Sequence, residues 1–374
     1  MRIGVPTETV AGERRVALVP ESVRRLVTSG LEVAVQRGAG AAAHIPDAAY
    51  VDAGAMLIDD PCTLLAESDV VVKVQRPSLD EAAMLPPGAV LVALLQPEAG
   101  GELPARLAER RITSFSLERV PRITRAQSMD VLSSQSTVAG YKAVLLGASL
   151  LPKFLPMLTT AAGTIAPAHA FVLGAGVAGL QAIATARRLG AVVSAFDIRP
   201  AAREQVQSLG ATFVAAELAS EDAEDAGGYA KAQGEDEQHR TLETIGRHLP
   251  SQDLVITTAQ IPGRRAPLLI TDAMVRTMRP GSVIVDLAAE SGGNCELTRP
   301  GDTVCAHDVT IIAPVNLAAS VPFHASRMFS KNVEAFVHHL VPDGALHIDL
   351  ADAITGQMCV THDGESRKSE SVGQ

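Results

Sequence analysis

Three closely spaced glycines and one acidic residue carry the clearest chemical signal in this sequence. Gly174, Gly176 and Gly179 follow an apolar run and open a segment whose apolar residues have helical spacing. The first glycine would allow a tight turn, the second an approach of backbone N–H groups to a pyrophosphate, and the third close packing of helix on strand. Asp197 ends the next apolar run, where a carboxylate can bind ribose hydroxyls and repel a 2′-phosphate. The pattern predicts a dinucleotide site that prefers NAD to NADP.

The alternative is a glycine-rich strand-to-helix turn that binds nothing, because the glycine spacing alone is a weak signal. Here the flanking strand, helix and acidic residue are all present, which favours binding. Val177 opens the helix, and Ile198 and Arg199 follow the acidic residue, so we assign all three to the cofactor site. The positive charge of Arg199 weakens the argument for NAD over NADP.

A second dense polar cluster runs from Pro121 to Ser136. It contains Arg122, Gln127, Asp130 and Ser133 and lies where two predicted domains would meet. Binding residues are often carried by such loops, but an Asp before a helix is more commonly its cap. From pattern alone, both a binding loop and a simple helix start remain open.

An acidic segment, residues 217–240, interrupts the second half of the chain. Its charge excludes it from a core. Gly228 and Tyr229 lie in its middle, so one hypothesis is a mobile lid that brings Tyr229 onto a bound nucleotide. The other is a solvated loop with an incidental tyrosine.

The alternation of strand and helix patterns predicts the α/β class, with two Rossmann-like, doubly wound parallel-sheet domains joined by long helices. We place the first, discontinuous domain at residues 1–127 and 323–374, and the NAD(H)-binding domain at 128–322. Helical patterns over Asp130–Leu151 and Pro322–Leu340 would connect them, and the segment after Leu346 would return to the first domain.

Composition restricts the partners and the compartment. The 374 residues carry a net charge of −10, which argues against direct binding of nucleic acid or anionic membrane. The four cysteines are scattered without CxxC or nearby histidines, which indicates reduced thiols in the cytoplasm and no metal site. The first 15 residues lack the apolar stretch of a secretory signal. Residues 154–186 are free of charge, but prolines and glycines interrupt them too often for a membrane span.

The sequence resembles a known family, the NAD(H)-binding component, or domain I, of proton-translocating NAD(P) transhydrogenase, which is related to alanine dehydrogenase. The resemblance extends from Met1 to about Thr361 and is dense. It is carried by the motifs RITRAQSMD, SSQS, AGYKAV, TAAGT, GAGVAGLQAIATARRLGA, EQVQSLGA, AGGYAK, ITTAQIPGRRAP and GSVIVDLAAESGGNCE.

The resemblance implies roles for several residues. Arg122, Gln127 and Asp130 would hold the nicotinamide end for hydride transfer, with Ser133 beside them, and Tyr229 would be the tip of a mobile loop that closes on NAD(H). Hydride would pass directly between two nicotinamides, so orientation matters and neither a nucleophile nor a metal is needed.

The family also implies an assembly. It predicts a homodimer that docks on a membrane-embedded proton-channel subunit and on an NADP(H)-binding domain, both on separate chains. The protein would then be peripheral on the cytoplasmic face of the inner membrane.

Two alternatives stay open, an alanine dehydrogenase-like enzyme and a non-catalytic NAD(H) sensor. By resemblance, the dehydrogenase needs an Arg, a Lys and a His. This chain has Arg15 and Lys73, but residues 93–97 contain no His. Glu290 stands where the dehydrogenase has an acidic residue, which leaves room for a residual activity.

Two further departures from the family's pattern concern the site. Gln260 replaces an apolar residue, which we expect to alter contacts with the adenosine side of the cofactor. Residues 318–322 replace a segment that often carries an Arg.

Overall fold

The computed structural model describes residues 1–97, 100–215, 234–261 and 264–367. The chain forms two compact units, one of Met1–Gln135 with Ala318–Gln374 and one of Ser136–Leu317, here called unit 1 and unit 2. Both contain a largely parallel sheet with helices, so the predicted α/β class is confirmed. The predicted domain boundaries, at 127/128 and 322/323, lie within ten residues of these limits.

The strands of the described residues are β1 (Arg2–Val5), β2 (Glu32–Gln36), β3 (Met56–Ile58), β4 (Val70–Gln75), β5 (Val90–Leu94), β6 (Thr113–Ser116), β7 (Leu158–Thr160), β8 (Gly163–Ile165), β9 (His169–Leu173), β10 (Val192–Phe196), β11 (Thr212–Phe213), β12 (Leu254–Thr257), β13 (Val283–Asp286), β14 (Thr303–Ala306), β15 (Val309–Ile312), β16 (Cys359–His362) and β17 (Glu365–Ser366).

The α-helices of the same residues are α1 (Pro20–Thr28), α2 (Asp47–Asp52), α3 (Pro61–Ala66), α4 (Leu79–Met84), α5 (Leu103–Glu109), α6 (Val131–Leu150), α7 (Val177–Arg188), α8 (Ala202–Ser208), α9 (Glu235–His248), α10 (Asp272–Val275), α11 (Pro322–Leu340) and α12 (Ala353–Met358).

The sheet of unit 1 has the order β17-β16-β6-β5-β4-β1-β2-β3. Its central strands are parallel and buried on both faces, which explains their runs of valine and leucine. Helix α11 packs its Phe329, Val333 and Phe336 into the same core, and Phe336 meets Phe115 of β6 edge to face at 5.2 Å. Strand β16 pairs antiparallel with β6, so the chain after α11 returns to the sheet of this unit.

The sheet of unit 2 has the order β11-β10-β9-β12-β13-β15-β14, and only β14 among these runs antiparallel. The chain order reverses at β9, which has β10 on one side and β12 on the other. In open parallel sheets, ligands bind beyond the carboxyl ends of the strands at such a reversal. We therefore expect a ligand site at the loops that follow β9, β10 and β12.

Several elements that lack strong periodicity are not predicted by the sequence. They include the short strands β3, β7, β8 and β14 and the helices α2 and α4, and β7 and β8 form a small two-stranded sheet of their own. The acidic loop predicted over 217–240 is too long, because helix α9 already begins at Glu235. No helix in the described ranges combines the length and the apolar content that a membrane span requires.

Candidate functional site

The turn between β9 and α7 in unit 2 can be built only with glycine at its first position. Gly174 has φ +95°, in the left-handed region that side chains rarely adopt. A Cβ atom on Gly174 would also lie 2.6 Å from the Oγ1 atom of Thr258 and 3.1 Å from the backbone nitrogen of Ala259. The turn is therefore closely covered by the loop that follows β12.

The other two glycines of the turn differ sharply in their surroundings. A Cβ atom on Gly179 would lie 1.9 Å from the carbonyl oxygen of Gly174, so helix α7 packs on the turn at backbone contact. A Cβ atom on Gly176 would meet nothing within 4 Å. Gly176 precedes the helix, and no described side chain caps α7 there. The helix start is thus open on the side where backbone N–H groups can meet an anion, and Val177 beside it is 40% exposed.

Asp197, after β10, is tied into this turn by its own neighbours. Its Oδ2 atom accepts a hydrogen bond from the backbone N–H of Ala175 at 2.7 Å. The Arg199 side chain donates to both oxygens, from Nε at 2.9 Å and Nη2 at 2.8 Å, and the Arg199 backbone N–H adds a bond at 2.9 Å. A carboxylate has about four lone-pair positions, so its acceptor capacity is fully used.

This pairing changes the interpretation of the acidic residue. The two side chains are only 6% and 17% exposed, so the ion pair is a largely desolvated part of the turn. A ribose hydroxyl could bind Asp197 only by replacing an Arg199 bond or sharing an acceptor. Arg199, with Ile198 between it and Asp197, therefore lies directly beside the carboxylate that we expect to distinguish a ribose hydroxyl from a phosphate.

The loop after β12 forms the opposite side of the glycine turn. Thr258 donates its hydroxyl hydrogen bond toward the carbonyl oxygens of Gly174 at 3.0 Å and Leu173 at 3.3 Å. Gln260 is exposed, and its Nε2 atom donates to the carbonyl oxygen of Leu287 at 2.9 Å. The side chain of Gln260 thus bonds to the end of the neighbouring strand β13.

The polar cluster of unit 1 has a different local structure. Residues Thr124–Met129 form a 3₁₀ helix that leads into α6, and Arg122 and Gln127 are exposed beside or on it. Asp130 accepts hydrogen bonds from the backbone N–H of Ser133 at 2.9 Å and from its hydroxyl at 2.6 Å. Asp130 therefore caps α6, in line with the simpler of the two alternatives.

This 3₁₀ helix is firmly attached to the rest of unit 1. Ala126 and Met129 are buried, and Nδ2 of Asn332 on α11 donates to the carbonyl oxygen of Ser128 at 2.7 Å. Arg125 pairs with Asp352. Burial opposes ionisation of Asp352, but hydrogen bonds from Arg125 and from two backbone N–H groups outweigh it and lower the pKa of that carboxyl to about 2. The exposed side chain of Gln127 thus stands on a fixed backbone.

A buried charged cluster, also in unit 1, contains Arg15 and Lys73, the two basic residues that an alanine dehydrogenase-like enzyme would need. Arg15 forms a bidentate pair with Glu13, at 2.8 and 2.6 Å, and donates to Gln135 at 2.9 Å. Lys73, only 1% exposed, bonds Glu81 at 2.7 Å and lies 3.9 Å from Glu8. Both cations thus have carboxylate partners within their own unit.

The site residues predicted from sequence fall into separate groups. The glycine turn, Val177, Asp197, Ile198, Arg199 and Gln260 belong to unit 2, and the first four of these features lie together at the carboxyl edge of its sheet. Arg122, Gln127, Asp130 and Ser133 belong to unit 1. Gly228 and Tyr229 lie outside the described residues. Within the described ranges, no group of three or more His, Cys, Asp or Glu residues could hold a metal ion.

Sequence reasoning missed the polar residues that support the loop after β12, namely Thr258, Asp286 and Asn294. Asp286 ends a buried strand, and a Gly-Gly-Asn turn follows shortly afterwards. Both the strand-terminal acid and the glycine turn lie in the family motif GSVIVDLAAESGGNCE, but their spacing gives no sign that they are in contact.

Two models of one protein family match the chain. Residues 4–139 match the family model "Alanine dehydrogenase/PNT, N-terminal domain", and residues 143–369 match "Alanine dehydrogenase/PNT, C-terminal domain". The chain is 48% identical to an alpha-subunit chain of the NAD(P) transhydrogenase of Rhodospirillum rubrum, with 97% of each chain covered. It is 30% identical to alanine dehydrogenase of Mycobacterium tuberculosis, over 97% of this chain and 94% of that one.

A solved structure shows the same likeness. The transhydrogenase from Sinorhizobium meliloti superposes with a TM-score of 0.86 at 42% identity, and 98% of each chain is covered. The family models together span almost the whole chain, and the likeness to the transhydrogenase subunit runs from end to end. The chain therefore belongs to the alanine dehydrogenase/PNT family.

Proposed function

We propose that this chain is the NAD(H)-binding component of a proton-translocating NAD(P) transhydrogenase. In this role it binds NADH, whose hydride passes directly to NADP⁺ held by a partner domain. The observation that carries the proposal is the 48% identity to a transhydrogenase alpha subunit over 97% of both chains, against 30% for an alanine dehydrogenase.

The residues present fit the nucleotide end of NAD(H). The open backbone at Gly176 and the uncapped start of α7 suit a pyrophosphate, since N–H groups there have no described side-chain acceptor. Asp197 and Arg199 would face the adenosine ribose. When bound, the nicotinamide supplies the hydride, and the chain's own residues bind and orient it.

The unit 1 residues suit the nicotinamide end. Gln127 has an exposed amide that can exchange two hydrogen bonds with a carboxamide and so select one face of the ring. Arg122 would offset phosphate charge, while Asp130 and Ser133 would hold the start of α6 in place. Gly228 and Tyr229 would belong to a loop that closes over the nucleotide and excludes water.

The proposal includes partners on other chains. Hydride transfer needs an NADP(H)-binding domain, and coupling to protons needs a membrane-embedded channel subunit. We further propose a homodimer that associates with the cytoplasmic face of the inner membrane through these partners.

An alanine dehydrogenase-like activity is the second candidate, because Arg15 and Lys73 are both present. However, Arg15 bonds Glu13 and Lys73 bonds Glu81, so each cation already has a carboxylate where a substrate carboxylate would have to bind. Residues 93–97 provide no His for proton transfer. A non-catalytic NAD(H) sensor is the third candidate.

One assay separates the three. The purified chain is mixed with an NADP⁺-loaded partner domain and NADH, and NADPH formation is followed; in parallel, the chain alone receives alanine and NAD⁺. Hydride transfer that requires the partner, without alanine-dependent NADH formation, supports the proposal. Alanine oxidation by the chain alone would favour the dehydrogenase, and NADH binding without any transfer would favour the sensor.

A further inference from the structure

A buried carboxylate at the carboxyl end of β13 organises the loop after β12 without lying on the glycine turn itself. Asp286 is fully buried in unit 2. Its oxygens accept hydrogen bonds from Thr257 Oγ1 at 2.8 Å, Ala288 N at 3.0 Å, Asn294 N at 2.8 Å, Cys295 N at 3.1 Å and Thr298 Oγ1 at 2.5 Å. A buried charge is costly unless donors surround it, and here donors from three chain segments do so.

The chain after β13 is wrapped tightly around this carboxylate. Gly292 and Gly293 have φ +105° and +78°. A Cβ atom on Gly293 would lie 2.9 Å from Oδ2 of Asp286 and 2.7 Å from Cγ2 of Thr298, so no larger residue fits. The wrapping fixes the backbone of the next residue, Asn294.

Asn294 in turn holds the loop after β12. Its Oδ1 atom accepts from the backbone N–H of Ala259 at 3.1 Å, and its Nδ2 atom donates to the carbonyl oxygens of Ala259 at 2.9 Å and Pro267 at 2.8 Å. One fully buried amide therefore satisfies both backbone groups of Ala259. Such a pair of bonds fixes the orientation of the residue as well as its position.

The fixed loop is the one that covers the glycine turn. The N–H of Ala259 and the hydroxyl of Thr258 are the atoms closest to the missing Cβ of Gly174, and that hydroxyl bonds the Gly174 carbonyl at 3.0 Å. Hydrogen bonds thus link Asp286 to Asn294 and Asn294 to Ala259, and the peptide bond between Ala259 and Thr258 connects them to the hydrogen bond on the turn.

We propose that Asp286 and Asn294 are positioning residues that hold residues 258–260 against the glycine turn. They would so set the shape of the cofactor cradle, by which we mean the glycine turn, residues 174–179, together with residues 258–260. Neither residue would touch the cofactor. The proposal rests on the proposed function only in that the cradle binds NADH. Asp286 and Asn294 would then affect the affinity for NADH as well as the stability of unit 2.

The opposite edge of the same sheet offers a matched control for stability. Gln252 lies just before β12, is 2% exposed, and donates from Nε2 to Ser251 at 2.7 Å and to the His248 carbonyl at 3.2 Å. It is also a buried amide that bonds backbone, but it lies roughly 20 Å along the strand direction from Thr258 at about 3.3 Å per residue. Loss of this amide should cost stability without changing the cradle.

The experiment compares Asn294→Ala, Thr258→Val and Gln252→Ala in the full chain. The chain has no tryptophan, so the fluorescence of NADH itself reports binding without a protein background. Thermal unfolding gives the stability of each variant, and amide hydrogen exchange of Ala259 in the free protein reports on the loop without any ligand.

We expect Asn294→Ala to weaken NADH binding about tenfold or more and to speed exchange at Ala259. Its loss of thermal stability should be at least that of Gln252→Ala, because the Asn294 side chain makes three hydrogen bonds and that of Gln252 makes two. Thr258→Val, a milder change, should weaken NADH binding about threefold to tenfold with little loss of stability. Gln252→Ala should bind NADH like the unmodified chain.

Equal NADH affinity of Asn294→Ala and Gln252→Ala would overturn the proposal, and so would unchanged affinity in Thr258→Val should Asn294→Ala fail to fold. Unchanged exchange at Ala259 in Asn294→Ala would do the same without reference to NADH. Failure of the unmodified chain to bind NADH is a different result, because it would overturn the proposed function along with the cradle.

Discussion

The ion pair between Asp197 and Arg199 leads to the sharpest test of cofactor choice. Asp197→Ala removes a carboxylate whose acceptor positions are all used, and at the same time releases an arginine that this carboxylate holds with two side-chain bonds. The substitution should therefore act on NADH and NADPH in opposite directions. NADH would lose a carboxylate that its ribose can share with Arg199, whereas NADPH would lose a repulsive charge and could bind the Arg199 guanidinium that this carboxylate no longer holds.

The expected changes in NADH and NADPH affinity are large because the side chains of Asp197 and Arg199 are little exposed to solvent. Hydrogen bonds from ribose to a carboxylate are worth about 1 to 3 kcal/mol, so NADH binding should weaken by roughly 5- to 100-fold. Repulsion between a carboxylate and a phosphate charge about 5 Å apart, at an effective dielectric constant of about 20, amounts to about 3 kcal/mol at most, because Arg199 offsets part of the charge of Asp197. The preference for NADH over NADPH should therefore fall by about tenfold to 100-fold.

Arg199 can be tested on the same background. Adding Arg199→Ala to Asp197→Ala should weaken NADPH binding again by about tenfold, because a charge-assisted hydrogen bond is lost, and should leave NADH nearly unchanged. Arg203→Ala is the matched control, since the Arg203 guanidinium lies over the Phe213 ring, 5.2 Å from its centroid, rather than on the Asp197 carboxylate.

Calorimetric titration of NADH and NADPH at low and at moderate salt compares these variants with the unmodified chain, and the change in NADPH affinity should shrink as salt screens the charges. An unchanged NADPH affinity in Asp197→Ala would refute the repulsion argument. Equal NADPH affinities in the single and double variants would refute the role given to Arg199.

Three further predictions concern other parts of the molecule. Gly179→Ala should lower the free energy of unfolding by about 3 kcal/mol or more in urea titration, because its Cβ would meet the Gly174 carbonyl at 1.9 Å. Gly176→Ala should stay folded and bind NADH more weakly. Equal stability and equal NADH affinity of the two variants would contradict the proposed cradle. Gln127→Asn should slow partner-dependent hydride transfer about 10- to 100-fold with little change in NADH affinity, and transfer at the unmodified rate would exclude its orienting role. Burial raises the pKa of Glu8 from 4.5 to about 7, so the folded state holds a proton there that the unfolded chain has lost, and the parent loses stability as pH rises from about 4.5 to about 7. Relative to the parent, Glu8→Gln should gain up to about 3 kcal/mol over that range in urea titrations, and a constant difference would show that Glu8 does not titrate there.

Much of the fold could be predicted from sequence because its main strands are buried on both faces. Val90–Leu94 is entirely apolar and Leu254–Thr257 has one polar residue, and Pro20 marks the start of α1 where its missing N–H does no harm. Strand β3 is not predicted because its apolar run is only three residues long, and the β7–β8 hairpin is not predicted because its mostly exposed residues show no clear apolar pattern.

The candidate site was predictable to the extent that backbone geometry dictates residue type. Gly174 and Gly179 are required by a positive φ and by backbone contact, and both effects are visible as spacing. Side-chain partners were not predictable, because they depend on rotamers and on residues distant in sequence. Two such partners are Arg199, whose side chain bonds Asp197, and Asn294, whose amide bonds the backbone of Ala259, 35 residues away.

The division of unit 1 into two stretches of chain has a consequence for synthesis on the ribosome. Its core includes Phe329, Val333 and Phe336 of α11, and its sheet is extended by β16, yet both follow the whole of unit 2 in sequence. A nascent chain that has just passed residue 317 thus contains every residue of unit 2 but leaves apolar strand faces of unit 1 uncovered. Since domains generally fold as units during synthesis, we expect unit 2 to fold first and the incomplete unit 1 to be the species that chaperones engage.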